Sequence, residues 1–122
     1  MQYSILVLDD DTHVRESLVI SLEDEEFEVF EAESSEVALK FLDDKPVDLV
    51  IVDLRLPGMN GTEFITAASK KWPDIKFVIY TGSPEFCIPV DLARIPNVSN
   101  SVFLKPLSSC DVMIDEIRKM LR

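Results

Sequence analysis

The sequence predicts an α/β fold: a doubly wound, five-stranded parallel sheet covered by helices on both faces, a three-layer sandwich. Three observations predict it. Short apolar runs alternate with helical periodicities along the whole chain. The runs are continuous rather than alternating, which marks strands buried on both faces. The connections between them are short, so consecutive strands join through right-handed helical crossovers.

The elements follow in order. A first strand is expected near residues 3 to 9, around Ile5-Leu6-Val7-Leu8, and a first helix over about 12 to 25 with Val14, Leu18 and Leu22 on one face. The acidic run Glu23-Asp24-Glu25-Glu26 ends that helix. A second strand is expected at 27 to 32. The second helix follows Ser34-Ser35, is expected to bury Val37, Ala38, Phe41 and Leu42, and stops at Pro46. A third strand is expected at 47 to 53. Asn60 is a good N-cap for the third helix, with Glu63 as capping-box partner; this helix packs Ile65, Ala68 and Trp72, and Pro73 ends it. A fourth strand is expected at 75 to 81. Between it and a fifth strand at 100 to 104, Ser83-Pro84 can start a helix, but Pro89 and Pro96 permit only a short or broken one. The last helix opens on the capping-box pair Ser108 and Asp111 and buries Met113, Ile117 and Met120 or Leu121. At this length the strand order 2-1-3-4-5, the flavodoxin-like order, is expected, because it sets strands 1 and 3 side by side at the switch point where ligands bind.

A chain of 122 residues, 47% of them hydrophobic, is expected to form one domain over residues 1–122 with a real core. The net charge of -11 repels a phosphate backbone and argues against direct nucleic-acid binding. No apolar run reaches the roughly 18 residues of a membrane span. The N-terminus shows no secretory signal, which gives a cytoplasmic expectation. Cys87 and Cys110 match no metal spacing and are expected to be ordinary packing or surface residues.

Polar residues stand where the apolar runs end: Asp9-Asp10-Asp11 after the first, Asp53 after the third, Thr81 after the fourth and Lys105 after the fifth. Open α/β sheets bind ligands at the carboxyl ends of their strands, so these residues share one rim. Two unit charges about 4 Å apart repel by roughly 4 kcal/mol at an effective dielectric of 20, so clustered aspartates call for a cation. Mg²⁺ suits them, as a hard ion that bridges carboxylates to phosphate. Asp53 is the candidate nucleophile, since carboxylates accept phosphoryl groups as aspartyl-phosphates. The metal would then neutralise one phosphoryl oxygen, Lys105 a second and the Thr81 hydroxyl a third. His13, the sole histidine, reads as an exposed first-turn residue.

The segments Leu6 to Asp11, Val50 to Gly61, Tyr80-Thr81-Gly82 and Phe103 to Leu107 together resemble the receiver domain of two-component response regulators, over essentially the whole chain. The resemblance implies a phosphorelay signalling domain rather than a true enzyme. Asp53 would be the phosphoacceptor for a histidine kinase or phosphotransfer protein, assisting its own phosphorylation and its slow dephosphorylation. It implies Mg²⁺ held directly by Asp10 and Asp53, through water by Asp9, and by the Arg55 backbone carbonyl. Thr81 and Lys105 would hold the phosphoryl oxygens, and Gly82 would leave access to them. Output would pass to a downstream protein or output domain through the face of the fourth helical region, fifth strand and last helix; a homodimer is compatible with it. Arg55 and Ser83 match the family's rate-tuning positions. The chain departs from the family three residues before the lysine, where receivers carry Tyr or Phe and this sequence has Val102, with Phe103 on the opposite strand face. Thr81 and Val102 are therefore the expected switch pair.

Two other readings compete. A haloacid-dehalogenase-type phosphatase would use Asp9 and Asp11, but His13 stands where its motif has Thr or Val, and Asp53 goes unexplained. A phosphorylation-independent interaction module would leave the acid, hydroxyl and ammonium without a task. A nucleotide-binding reading fails because no glycine-rich turn follows the first strand.

Overall fold

The computed structural model describes residues 3–82, 94–105 and 110–121. Five strands form one parallel sheet: β1 (Ser4–Leu8), β2 (Glu28–Ala32), β3 (Leu49–Val52), β4 (Lys76–Thr81) and β5 (Val98–Leu104), in the order β2-β1-β3-β4-β5. Helices α1 (Thr12–Asp24), α2 (Ser35–Asp44) and α3 (Gly61–Lys71) connect the first four strands, and a C-terminal helix spans Asp111–Leu121. The doubly wound fold and its strand order are as expected.

Strand alternation divides the core into two layers. Leu6, Leu8, Val50, Val52, Phe77 and Ile79 face α2 and α3, where Ala38, Leu42, Phe64, Ile65 and Ala68 meet them. Ile5, Val7, Leu49, Ile51, Val78 and Tyr80 face α1 and the C-terminal helix, against Leu18, Leu22, Met113, Ile114 and Ile117. Val102 packs with the first layer and Phe103 with the second, the opposite-face placement that alternation requires.

The ends of the elements follow the sequence signals closely. The Asn60 carboxamide accepts the Glu63 N–H at 2.9 Å while the Glu63 carboxylate accepts the Asn60 N–H at 3.2 Å, a complete capping box. Ser34 caps α2 by accepting the Val37 N–H. The acidic run does close α1: the Glu25 and Phe27 N–H groups both donate to the Leu22 carbonyl, with Glu26 at φ +69° between them.

Three expectations need correction. Val37 is 43% exposed rather than buried, because α2 turns Ser35, Ala38 and Leu42 inward at three- and four-residue spacing and leaves Val37 at the edge of that stripe. Phe41 is half-buried, its ring 5.1 Å from that of Phe30. β5 begins at Val98, two residues early. The polar stretch Ser99-Asn100-Ser101 hides the start, which the Phe77 N–H fixes by donating to the Asn97 carbonyl at 2.9 Å. Trp72, Met120 and Leu121 are half-buried at the margins of the core. The broken helix expected after Ser83, with Cys87, and the Ser108 cap lie outside the described residues. No helix among those residues is long and apolar enough to cross a membrane.

Candidate functional site

The site is built from the next rung of the sheet. One residue beyond β1, the Asp9 N–H donates to the carbonyl of Ala32, the last residue of β2, at 3.2 Å. One residue beyond β3, the Asp53 N–H donates to the Leu8 carbonyl at 3.0 Å, and one residue beyond β5, the Lys105 N–H donates to the Thr81 carbonyl at 2.9 Å. The ladder thus continues through these candidate residues, and their backbone hydrogen bonds extend those of the strands.

Side chains from these rungs converge. Asp9 and Asp53 are buried, and the Lys105 ammonium bridges them, 3.0 Å from Asp53 Oδ2 and hydrogen-bonded to Asp9 Oδ2. Carboxylate oxygens of Asp9, Asp10 and Asp53 lie within 4.8 Å of one another, with Asp10 exposed at the mouth. Thr81 is fully buried at the end of β4. Of the residues the sequence singled out, Asp9, Asp10, Asp53, Thr81 and Lys105 are therefore gathered at one end of the sheet. Arg55 sits just beyond, its N–H donating to Asp53 Oδ1 at 3.0 Å, and a Cβ on Gly82 would come no nearer than 4.0 Å to the Lys105 side chain.

Asp11 does not join them. Its carboxylate accepts the His13 and Val14 N–H groups and caps α1, so the acidic triplet divides its labour. His13 is exposed on that first turn, as expected.

Burial shapes the electrostatics. It raises the Asp9 pKa, against the lowering effect of hydrogen bonds from Lys105 and from the Asp11 N–H. Burial alone would lower the Lys105 pKa, but its hydrogen bonds to Asp9 and Asp53 reverse this and hold it above the ordinary lysine value. The donor set is all oxygen and anionic, which fits a hard divalent cation such as Mg²⁺ and not a softer metal.

The loop that carries Arg55 is fixed from two sides. Pro57-Gly58 turns it, with Gly58 at φ +73° as a type II turn requires. The buried Ser35 hydroxyl donates to the Met59 carbonyl at 2.7 Å, and the Met59 N–H donates to the Glu36 carboxylate at 3.4 Å. Sequence reasoning took Ser35 only as the start of a helix. It also passed over Arg15, whose guanidinium donates to the Asp9 carbonyl at 2.7 Å. The available signal was directional: a long side chain in the first helical turn points back toward the strand that precedes it.

A family model for the response regulator receiver domain matches residues 5–108. The chain belongs to this family. Among its relatives, the receiver is 31% identical to the response regulator receiver protein CpdR of Brucella abortus over 117 residues, which is 96% of this chain and 95% of CpdR. It is 34% identical to the hydrogenase transcriptional regulatory protein HoxA of Cupriavidus necator across 97% of this chain, but spans only 24% of HoxA. Against the CAI-1 autoinducer sensor kinase/phosphatase CqsS of Vibrio cholerae it spans 16%. Among solved structures it matches TrrA of Thermotoga maritima, in complex with Mg²⁺-BeF, with a TM-score of 0.86 and 30% identity, covering 99% of this chain and 100% of that one. The chemotaxis protein CheY4 of Vibrio cholerae, with a TM-score of 0.85 at 20% identity over 99% of this chain and 100% of its own, shares the fold.

Proposed function

We propose that this receiver takes a phosphoryl group onto Asp53 from the phosphohistidine of a histidine kinase or phosphotransfer protein. The P–N bond breaks as a carboxylate oxygen of Asp53 bonds to phosphorus, and the imidazole of the donor leaves. One observation carries the reading: a half-buried lysine bridges two buried aspartates beside a third, exposed one. Such a group has charge to spare for an anion only when a cation takes up the carboxylates.

Asp10 and Asp53 would hold Mg²⁺ directly, the Arg55 carbonyl would add a ligand, and Asp9 would act through water. When bound, Mg²⁺ supplies charge neutralisation between carboxylate and phosphoryl oxygens. TrrA, which was solved with Mg²⁺-BeF, supports the same pairing of cation and phosphoryl stand-in here.

The chain's own residues do the rest. The Arg55 N–H and the Lys105 ammonium fix the two oxygens of Asp53, so the nucleophile is oriented before the donor arrives. Lys105 then follows the charge onto a phosphoryl oxygen, and the Thr81 hydroxyl takes another. The receiver assists these steps on itself and turns over no separate substrate.

Thr81 and Val102 would carry the response. Val102 pairs with Ile79, two residues before Thr81, and packs in the layer facing α2 and α3. An aliphatic side chain cannot rotate as a ring does, so movement of Thr81 would be reported as repacking along β5 to a downstream protein or output domain. The 83 to 99 segment, which follows Thr81 in the sequence, is the expected place for that change.

The test is to incubate the protein with Mg²⁺ and acetyl phosphate and weigh it by mass spectrometry. One added phosphoryl group that is absent in Asp53→Asn supports the proposal. No addition to the wild type would favour a phosphorylation-independent interaction module, and turnover of many donors abolished by Asp9→Asn would favour a phosphatase.

A further inference from the structure

We propose that Arg15 is a positioning residue that sets the direction of Asp10, the exposed member of the acidic trio; this rests on the reading of that trio as a Mg²⁺ site. The argument begins with the backbone on either side of Asp10. The peptide before it is held at its carbonyl: Arg15 Nη1 donates to Asp9 O at 2.7 Å. The peptide after it is held at its N–H, which belongs to Asp11 and donates to Asp9 Oδ1 at 2.9 Å. With both neighbouring peptides held, φ and ψ of Asp10 are restrained, and the direction in which its carboxylate leaves the backbone is restrained with them.

Arg15 is itself tied down, as a positioning residue must be. Nε donates to Glu31 Oε1 at 3.3 Å and Nη2 to Thr12 Oγ1 at 3.3 Å, with only 13% of the side chain exposed. The three donors reach the end of β1, the end of β2 and the first residue of α1. The flat guanidinium fork suits this task, and an ammonium on a flexible stem does not. Glu31 thereby supports the site from the neighbouring strand without touching it.

Charge and geometry predict opposite outcomes, which makes the inference testable. If Arg15 acted on the site only as a nearby positive charge, its removal would tighten Mg²⁺ binding. If it positions Asp10, its removal weakens binding, and outer partners that orient metal ligands typically matter by about 10- to 100-fold.

Isothermal titration with Mg²⁺ at fixed ionic strength would compare wild type, Arg15→Met, Arg15→Lys and Asp10→Ala, with urea denaturation reporting on the fold. We expect roughly tenfold weaker binding in Arg15→Met and an intermediate loss of roughly threefold in Arg15→Lys, which keeps the charge but cannot span three acceptors. In an Asp10→Ala background the effect of Arg15→Met should vanish, a result that general loosening of the fold would not give. Unchanged or tighter binding in Arg15→Met, or the same loss in the Asp10→Ala background, would overturn the inference. Should Arg15→Met not fold, Arg15→Lys decides it, and wild-type affinity there refutes the role. A wild type that takes no Mg²⁺ would overturn the reading of the site itself; wild-type binding unaffected by Arg15→Met overturns only the role of Arg15.

Discussion

Gly61→Ala should damage both the fold and the proposed phosphoacceptor, by a single methyl group. Gly61 opens α3 directly against the end of β3, and a Cβ there would lie 2.4 Å from the Asp53 carbonyl oxygen, 2.7 Å from Leu54 Cα and 2.9 Å from Val52 Cγ1. Two of these are backbone atoms that cannot rotate aside. Ordinary contact begins near 3.4 Å, so the helix start or the strand end must move by about 1 Å. Overpacking of this kind costs about 1–3 kcal/mol, offset by up to about 1 kcal/mol because alanine suits a helix better than glycine. The net loss of about 1–2 kcal/mol should lower the melting temperature by roughly 4–8 °C for a domain of this size. A shift of about 1 Å at the reacting carboxylate can cost on the order of 100-fold in rate, so labelling of Asp53 by acetyl phosphate should slow far more than stability falls. Gly82→Ala is the control: among the described residues its Cβ would meet only the Lys105 side chain at 4.0 Å, and stability should stay within about 0.5 kcal/mol of wild type. Circular dichroism on heating and timed mass spectrometry measure the two effects. A Gly61→Ala protein with wild-type melting and labelling would refute the steric account.

Two further outcomes follow from the charges of buried Asp9 and half-buried Lys105. Asp9 has a raised pKa in the folded state, chiefly from burial, so its titration favours the fold below the unfolded value of 3.8 and that contribution is lost as pH rises through the folded value. At neutral pH without metal, Asp9→Asn should therefore gain about 1 kcal/mol in urea denaturation, and a lower stability would count against burial as the dominant effect. Lys105 also has a raised pKa, so its contribution is complete below 10.5 and disappears as pH climbs through its higher folded value. Lys105→Met leaves Asp9 and Asp53 facing each other and should destabilise the metal-free domain by about 1–3 kcal/mol. Mg²⁺ should recover more stability in that variant than the roughly 1.4 kcal/mol it gives the wild type at ten times its dissociation constant; equal gains would show that Lys105 does not balance the carboxylates.

Much of this was legible in the amino-acid order because the site sits at strand ends, where a continuous apolar run meets a charge. Leu49 to Val52 announces both β3 and the position of Asp53, and Asn60 with Glu63 announces α3. What stayed hidden depended on long-range contact. Nothing local says that Asp11 spends its carboxylate on a cap while Asp10 stays at the mouth, since both are aspartates in one run. Ser35 reads as a helix start until Met59 is found 2.7 Å from its hydroxyl. Val37 is apolar at a plausible helical spacing, and only the rotation of α2 about its axis decides that it faces out. The early start of β5 was masked by polar residues whose strand pairing is set by Phe77 and Asn97.

That Asp9, Asp53 and Lys105 occupy the next rung of the sheet gives the candidate site a ruler. Adjacent strands run about 4.8 Å apart, and Asp9 and Asp53 lie one residue beyond the neighbouring strands β1 and β3, with the Asp53 N–H on the Leu8 carbonyl, so the gap between their backbones is set by the hydrogen-bond spacing of the sheet. Thr81 at the end of β4 and Lys105 just beyond β5 are gauged in the same way. Loops around the rim can lengthen or change in composition without altering that metric. The distances on which the proposed chemistry depends are thus set by the sheet and not by the loops around it.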